Sequence, residues 1–226
     1  MSGDSIAKVD FHAHILPGAD HGSDSTETSL VQLEYANEVG VTRIVATPHF
    51  YPHRHTLDAF IKRRYDAYSS LMSVYNGNID IKLGAEVLLC EGLENLEGLE
   101  KLCLEGTDFI LIELPFSEFR ESYVDTVRKI QRRGLKVILA HVDRYPVSDI
   151  EKLLDIGVKY LQVNAEGMAK FFKPKKIFEW AKYGNVVALG SDIHGKDKKA
   201  YKLFDKVYKI PELNANLDKF ASTMFK

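Results

Sequence analysis

Cysteine is scarce in this chain: 226 residues contain two, Cys90 and Cys103. So few cysteines in a chain this long argue against a disulfide scaffold, and both read as reduced packing residues beside or within apolar runs. No apolar run approaches the roughly 20 residues that a membrane span requires. The opening stretch "MSGDSIAKVDFHAH" lacks the apolar core of a secretory signal. An excess of one charge is also missing. A formal net charge of −2 argues against bulk binding to nucleic acid or to an anionic membrane. No linker-like or low-complexity stretch divides the sequence. The expectation is one domain over residues 1–226, soluble and cytoplasmic, with no nucleic-acid partner and no membrane insertion. A chain of this length can enclose a sizeable core.

What is present is a regular alternation. Short apolar runs occur at 8–14, 41–49, 79–87, 108–116, 135–142, 158–166 and 185–194. Most are rich in Val, Ile and Leu without polar alternation, as strands buried on both faces are. Amphipathic stretches lie between them, predicting helices at 25–39, 56–75, 92–104, 118–133, 147–157 and 174–183. A further helix in the tail from Asp197 should break at Pro211. Ser25 or Thr26 is placed to cap the first, and Gly40, Gly134, Gly157 and Gly184 stand where helices should stop. Strands alternating with helices indicate a parallel α/β fold.

The polar residues choose between an open sheet and a barrel. The expected strands end, in order, at His12 and His14, His49, Glu86, Glu113, His141, Asn164, and Asp192 and His194. Active sites of parallel α/β folds form at the carboxyl ends of strands. An open sheet would spread these ends along a line, whereas a closed barrel of about seven strands gathers them into one ring. Residues i and i+2 of a strand share a side, so His12 with His14, and Asp192 with His194, can each hold one cation. Imidazole and carboxylate suit zinc, manganese or iron. The set is too rich for one ion, so two or three are expected. His53 and His55, in the aromatic and basic loop "HFYPHRH", read either as solvated residues or as a substrate-facing rim.

These stretches resemble a known family. "DFHAHILPGADHG", "IVATPHFYP", "LGAEVLL", "FILIELPF", "VILAHVDRYP", "LQVNAEG" and "ALGSDIHG" are similar to the polymerase and histidinol phosphatase (PHP) superfamily. Within it, they most resemble the bacterial metal-dependent protein tyrosine phosphatases of capsule and exopolysaccharide synthesis. The resemblance runs from about residue 8 to 195. It implies a distorted seven-stranded TIM-like (β/α)7 barrel with three divalent metal ions at the carboxyl ends of its strands, manganese first, iron or zinc as alternatives. It assigns His12, His14, Glu86 and Asp192 to the first ion. Glu86 bridges to a second, completed by Glu113 and His141. His49, His194 and the residue before Gly22 hold a third. That last position is associated with aspartate in the capsule phosphatases. Here it is His21, with Asp20 beside it as the alternative. Arg144 is expected to clamp phosphate at the mouth. Where the family has an arginine after the Asp-X-His, this chain has only lysines, Lys196 first, with Lys198 or Lys199 as alternatives; His53 is a further candidate for substrate binding.

The implied reaction is hydrolysis of phosphotyrosine by a metal-bridging hydroxide attacking in line. The two cysteines do not form the CxxxxxR pattern of thiol-based phosphatases. Three divalent cations against Glu86, Glu113 and Asp192 leave a positive surplus that suits a phosphate dianion. The implied partner is a phosphotyrosine protein, a bacterial tyrosine kinase tail. The rival readings are a small-molecule phosphatase such as one for histidinol phosphate, a phosphodiesterase, and a non-catalytic metal-stabilised binding module.

Overall fold

Strands and helices alternate in the computed structural model, which describes residues 8–169 and 175–225. The strands are β1 (Lys8–Ala13), β2 (Val41–Ala46), β3 (His49–Phe50), β4 (Asp80–Leu83), β5 (Glu86–Leu88), β6 (Phe109–Glu113), β7 (Lys136–Leu139), β8 (Tyr160–Asn164) and β9 (Val186–Gly190). Every pairing between them is parallel. Parallel neighbours need long crossovers. These run through α1 (Thr26–Glu38), α2 (Leu57–Met72), α3 (Glu121–Arg132), α4 (Val147–Asp155), a short α5 (Ala165–Met168) and α6 (Lys175–Lys182). Two more, α7 (Lys198–Tyr208) and α8 (Pro211–Met224), close the chain.

Local chemistry accounts for most boundaries. Ser25 caps α1 by accepting from the Thr28 amide, and Thr56 caps α2 by accepting from Ala59. Pro211 opens α8, where its missing N–H costs nothing. The stretch 92–104 departs from expectation. It forms two 3-10 turns, Leu93–Asn95 and Leu99–Leu102, each entered through a left-handed glycine, Gly92 at φ 84° and Gly98 at φ 77°. Residue 174, expected to open α6, lies outside the described residues, as do residues 1–7 of the opening stretch. Cys103 is buried and Cys90 half-buried, neither in a disulfide. Among the described residues no helix is long and apolar enough to cross a membrane.

Two of the seven expected strands break. Residues 41–49 divide at Thr47–Pro48 and residues 79–87 at Gly84–Ala85. Pro48 has no N–H for a ladder. At Gly84 the chain passes so close to its neighbours that a Cβ would meet Leu104 Cδ2 at 2.9 Å. The breaks carry the chain between two sheets, β1-β2-β4 and β3-β5-β6-β7-β8-β9. These sheets are not closed into one ladder. A backbone bond crosses between them instead: Asp192 N, past β9, donates to His12 O of β1 (2.8 Å).

One apolar cluster lies under the helices, and a second fills the space between the strands. The second contains Val9, Phe11, Val45, Phe109, Leu111 and Ile138, and α8 adds Phe220. The Phe220 ring sits 5.4 Å from Phe11 and 5.1 Å from Phe109. In β1, Phe11 joins this cluster while the next residue, His12, reaches Glu86. Consecutive strand residues point to opposite faces unless the strand is interrupted. The interruption is visible in the pairing: Asp10 faces Ile44 but Ala13 faces Ala46, so β1 gains a residue on β2.

Candidate metal centre

Three histidines are held at Nδ1 and present Nε2. His12 Nδ1 lies 3.1 Å from Gln162 Oε1 on β8. His14, just past β1, has Nδ1 2.7 Å from Asp20 Oδ2. His194 Nδ1 lies 3.0 Å from the Asp192 carbonyl. Each partner oxygen accepts, so each ring carries its proton on Nδ1 and keeps a lone pair on Nε2. Orientation of imidazoles by such outer partners is the usual support of metal sites.

Those lone pairs converge on carboxylates. Glu86 Oε2 is 3.1 Å from His12 Nε2, 3.2 Å from His14 Nε2 and 2.9 Å from His49 Nδ1. Its Oε1 is 2.7 Å from His141 Nε2. Asp192 Oδ1 stands 3.3 Å from His14 Nε2 and 3.6 Å from His12 Nε2. Glu113 lies 3.6 Å from His141 and 3.9 Å from His49. The donor atoms of His12, His14 and Asp192, of His14, His49 and His194, and of His49, Glu86 and Glu113 are each close enough to share one ion. The His21 ring stacks on His49 at 4.9 Å and meets His194 at 4.7 Å.

The fit to cations rests on atoms left without partners. His49 Nδ1, Glu86 Oε2, His141 Nδ1 and His194 Nε2 are buried and make no hydrogen bond. Unpaired buried polar atoms are costly. Of these, His49 Nδ1 and Glu86 Oε2 lie 2.9 Å apart, a pairing that an ion between them explains. Without an ion, protons take up that role. Burial opposes charge on His14, yet its bonds to Asp192, Asp20 and Glu86 hold it well above the usual imidazole range. Burial likewise opposes charge on His141, but Glu113 and Glu86 push it up to about 9. For Glu86 burial acts upward and is outweighed by His12, His14 and His141, which keep it ionised. His194 goes the other way, down to about 4, through burial and the neighbouring His14.

The local backbone differs from the expectation that every ligand simply ends a strand. His49 and Glu86 open β3 and β5, directly after the two breaks. Asp192 and His194 lie past β9 in a loop, so strand periodicity does not pair them; Asp192 has φ 50°. His141 has φ 31°. Positive φ in non-glycine residues is uncommon and concentrates at functional sites. Gly22 admits no side chain: a Cβ there would meet His14 Cβ at 2.0 Å. Gly190 is similarly tight, since a Cβ would lie 2.6 Å from both His12 Cβ and Gln162 Nε2.

Of the residues that support the ligands, Asp20 and Asn164 stand out in the sequence, whereas Asp10 and Gln162 do not. Asp20 uses both oxygens: beyond His14, it accepts from His49 N (2.9 Å) and Gly22 N (2.9 Å). Gln162 accepts from His141 N (2.6 Å) and donates to Asn164 Oδ1 (2.8 Å), and Asn164 Nδ2 in turn donates to Asp192 Oδ2 (2.7 Å). Asp10 ties the bulge of β1 to Ser191 by accepting from His12 N and Ser191 N. Only a buried polar residue amid apolar strand positions marked Asp10 and Gln162.

The cluster floors an open cavity of about 470 Å³, walled by Tyr51, Phe116, Arg144, Glu166 and Lys199. Arg144 donates to Asp192. Lys199 thus stands in the wall, whereas Lys196 and His53 are exposed and lie outside the residues lining it. Lys198 pairs with Glu38 at 2.6 Å.

The sequence profile of a family, capsular polysaccharide synthesis, CpsB/CapC, matches residues 8–215. A putative tyrosine-protein phosphatase CapC of Staphylococcus aureus is 28% identical over 140 residues. Tyrosine-protein phosphatase YwqE of Bacillus subtilis (strain 168) is 26% identical over 141 residues. Both alignments cover 60% of this chain and 54% of the relative, so the chain spans about half the length of the curated relatives it matches. Among solved structures, the fold is similar to that of YwqE from Bacillus subtilis and CpsB from Streptococcus pneumoniae, called unique metal-dependent tyrosine phosphatases. The TM-score is 0.76 at 21% identity, covering 96% of this chain and 93% of the other. It is also similar to histidinol phosphate phosphatase from Lactococcus lactis, in complex with zinc, L-histidinol and phosphate: TM-score 0.55, 14% identity, 91% and 94% covered.

Proposed function

The chain belongs to the CpsB/CapC family of capsular polysaccharide synthesis, and from that premise we propose that it is a metal-dependent protein tyrosine phosphatase regulating capsule or exopolysaccharide synthesis in the cytoplasm. The observation that carries this reading is the convergence of oriented imidazole nitrogens on the buried, unpaired Glu86 Oε2 and the neighbouring carboxylates beneath an open cavity. The named activities of the relatives support it. We also read the two sheets as one distorted barrel of seven strands, two of them broken.

In this reading His12, His14, Glu86 and Asp192 hold one ion, Glu86, Glu113 and His141 a second, and His49, His194 and His21 a third. The full engagement of Asp20 with His14, Gly22 and His49 favours His21 as the outer ligand. Divalent ions, manganese first and iron or zinc as alternatives, supply an acidified water and positive charge for phosphate oxygens. The chain supplies the rest. Gln162 and Asp20 keep the Nε2 atoms of His12 and His14 aimed inward. Arg144 has five N–H donors, and its hydrogen bond to Asp192 leaves others for phosphate. Tyr51, pushed up to about 12 by burial and the nearby Glu113 and Glu86, stays neutral beside the cavity. A phenolate leaves with a conjugate-acid pKa near 10, so the chain needs no strong general acid. The inferred substrate is a phosphotyrosine protein, a bacterial tyrosine kinase tail.

The test is phosphate release by the metal-loaded chain from a phosphotyrosine peptide, histidinol phosphate and a dinucleotide, each with and without chelator. The phosphotyrosine peptide should be turned over fastest, and chelator should abolish it. Exclusive turnover of histidinol phosphate would replace this reading with a small-molecule phosphatase. Metal uptake without cleavage of any ester would leave a binding module.

A further inference from the structure

We propose that an aromatic-walled groove beside the cavity binds the substrate chain on one side of the phosphotyrosine and selects an aromatic or branched aliphatic residue there. The inference rests on the phosphatase reading above and names what else the substrate must offer.

The groove measures about 450 Å³ and shares Phe116 and Arg144 with the cavity as common walls. Its other surfaces include Pro115, Phe119, Tyr145 and Pro146, with Glu118, Asp149 and Lys152 among them. Phe116 is 75% exposed, an unusual position for a large apolar ring. It faces hollows on both sides. A ring placed there separates two bound groups while touching each. The groove is also firmly built. Tyr145 donates its hydroxyl to Leu114 O (2.8 Å) and keeps its ring 6.1 Å from Phe116. Phe119 is half-buried against Tyr123, 5.8 Å away, with Lys152 Nζ 5.0 Å from its ring centre.

Position ties the groove to the reaction. It is made by the segments that follow β6 and His141, and the same two segments deliver Glu113 and His141 to the cluster. A peptide held in the groove is therefore held in register with the cluster. Because Phe116 and Arg144 wall both hollows, the groove receives a residue near the phosphotyrosine in the chain. Glu166, Asp197 and Lys199 line the cavity but not the groove, so the apolar preference belongs to the flank that meets Phe116 and Phe119.

The experiment uses the full metal-loaded chain. Phosphotyrosine is placed in a glycine-serine peptide, with leucine or phenylalanine added on the amino side, the carboxyl side or neither. Free phosphotyrosine is the reference compound. An apolar residue on one side should lower KM about tenfold with kcat little changed, the pattern of binding shared by ground and transition states. In Phe119→Ala that preference should fall below about twofold. Phe116→Ala, at an exposed loop position whose loss does not open the core, should show the same collapse if Phe119→Ala misfolds. Equal preference on both sides, none at all, or a preference that survives both variants would overturn the groove while the phosphatase reading stands. Failure to hydrolyse even free phosphotyrosine would overturn both.

Discussion

Between the strands, the amino ends and the carboxyl ends are built from opposite materials. At the amino ends Val9, Phe11, Phe109 and Leu111 pack around Phe220. At the carboxyl ends His12 faces Asp192 and His141 faces Glu113, each at 3.6 Å, around Glu86 Oε2 and His49 Nδ1, which make no hydrogen bond. The first arrangement is favourable without help, since apolar burial returns about 25 cal/mol per Å². The second is costly by itself, because its buried polar atoms lack partners. Stability is concentrated at one end so that the other can hold groups that only an ion satisfies. The bulge in β1 is where the two materials meet, with Phe11 on one side and His12 on the other.

That division can be broken from either end. The largest effect is expected at Glu86, which contacts four histidines. Glu86→Gln should lower kcat/KM on the order of 10³-fold or more. Metal content by elemental analysis should fall in parallel, with circular dichroism unchanged. Full metal content would remove Glu86 from the centre. At the other end, Phe220→Ala should cost about 3–5 kcal/mol of stability, seen as a lower denaturation midpoint. Metal per folded molecule should stay constant; a loss of metal at unchanged stability would erase the distinction between the ends.

Smaller effects sharpen the picture. Asp20→Asn retains an acceptor but loses the charge that orients His14, and should weaken metal affinity about 10–100-fold in chelator competition. An unchanged affinity would reduce Asp20 to a loop residue. The last prediction concerns protons. His141 titrates near 9 in the metal-free protein, so below that pH a proton competes with metal. Apparent affinity should therefore rise with pH from about 6.5 and level off as His141 loses its proton. Calorimetry in buffers of different ionisation enthalpy should show proton release on metal uptake at neutral pH. No release would mean that the imidazoles are already neutral. The Phe220 cluster, whose buried members carry no titratable group, should give no such dependence.

Much of this was legible without coordinates. Alternating apolar runs with glycine stops announce a parallel α/β chain, because periodicity and turn chemistry act over a few residues. His12, His14, His49, Glu86, Glu113, His141, Asp192 and His194 stood out because ligand-type residues recurred at the ends of apolar runs, and the structure brings all of them together. The stretch 92–104 was misread as one helix since its leucines recur at helical spacing; only left-handed backbone at Gly92 and Gly98 divides it.

The identity of the polar groups and the order of strand and helix were thus determined by the sequence itself. Tertiary structure alone decided how those groups face each other. It divided two strands at Pro48 and Gly84, flipped β1 at its bulge, and turned His141 and Asp192 through positive φ. It also placed Gln162 and Asp20 behind the histidines. These features depend on how closely distant segments approach. No local pattern records that distance, because the cost of a clash or an unpaired atom exists only once the chain has folded.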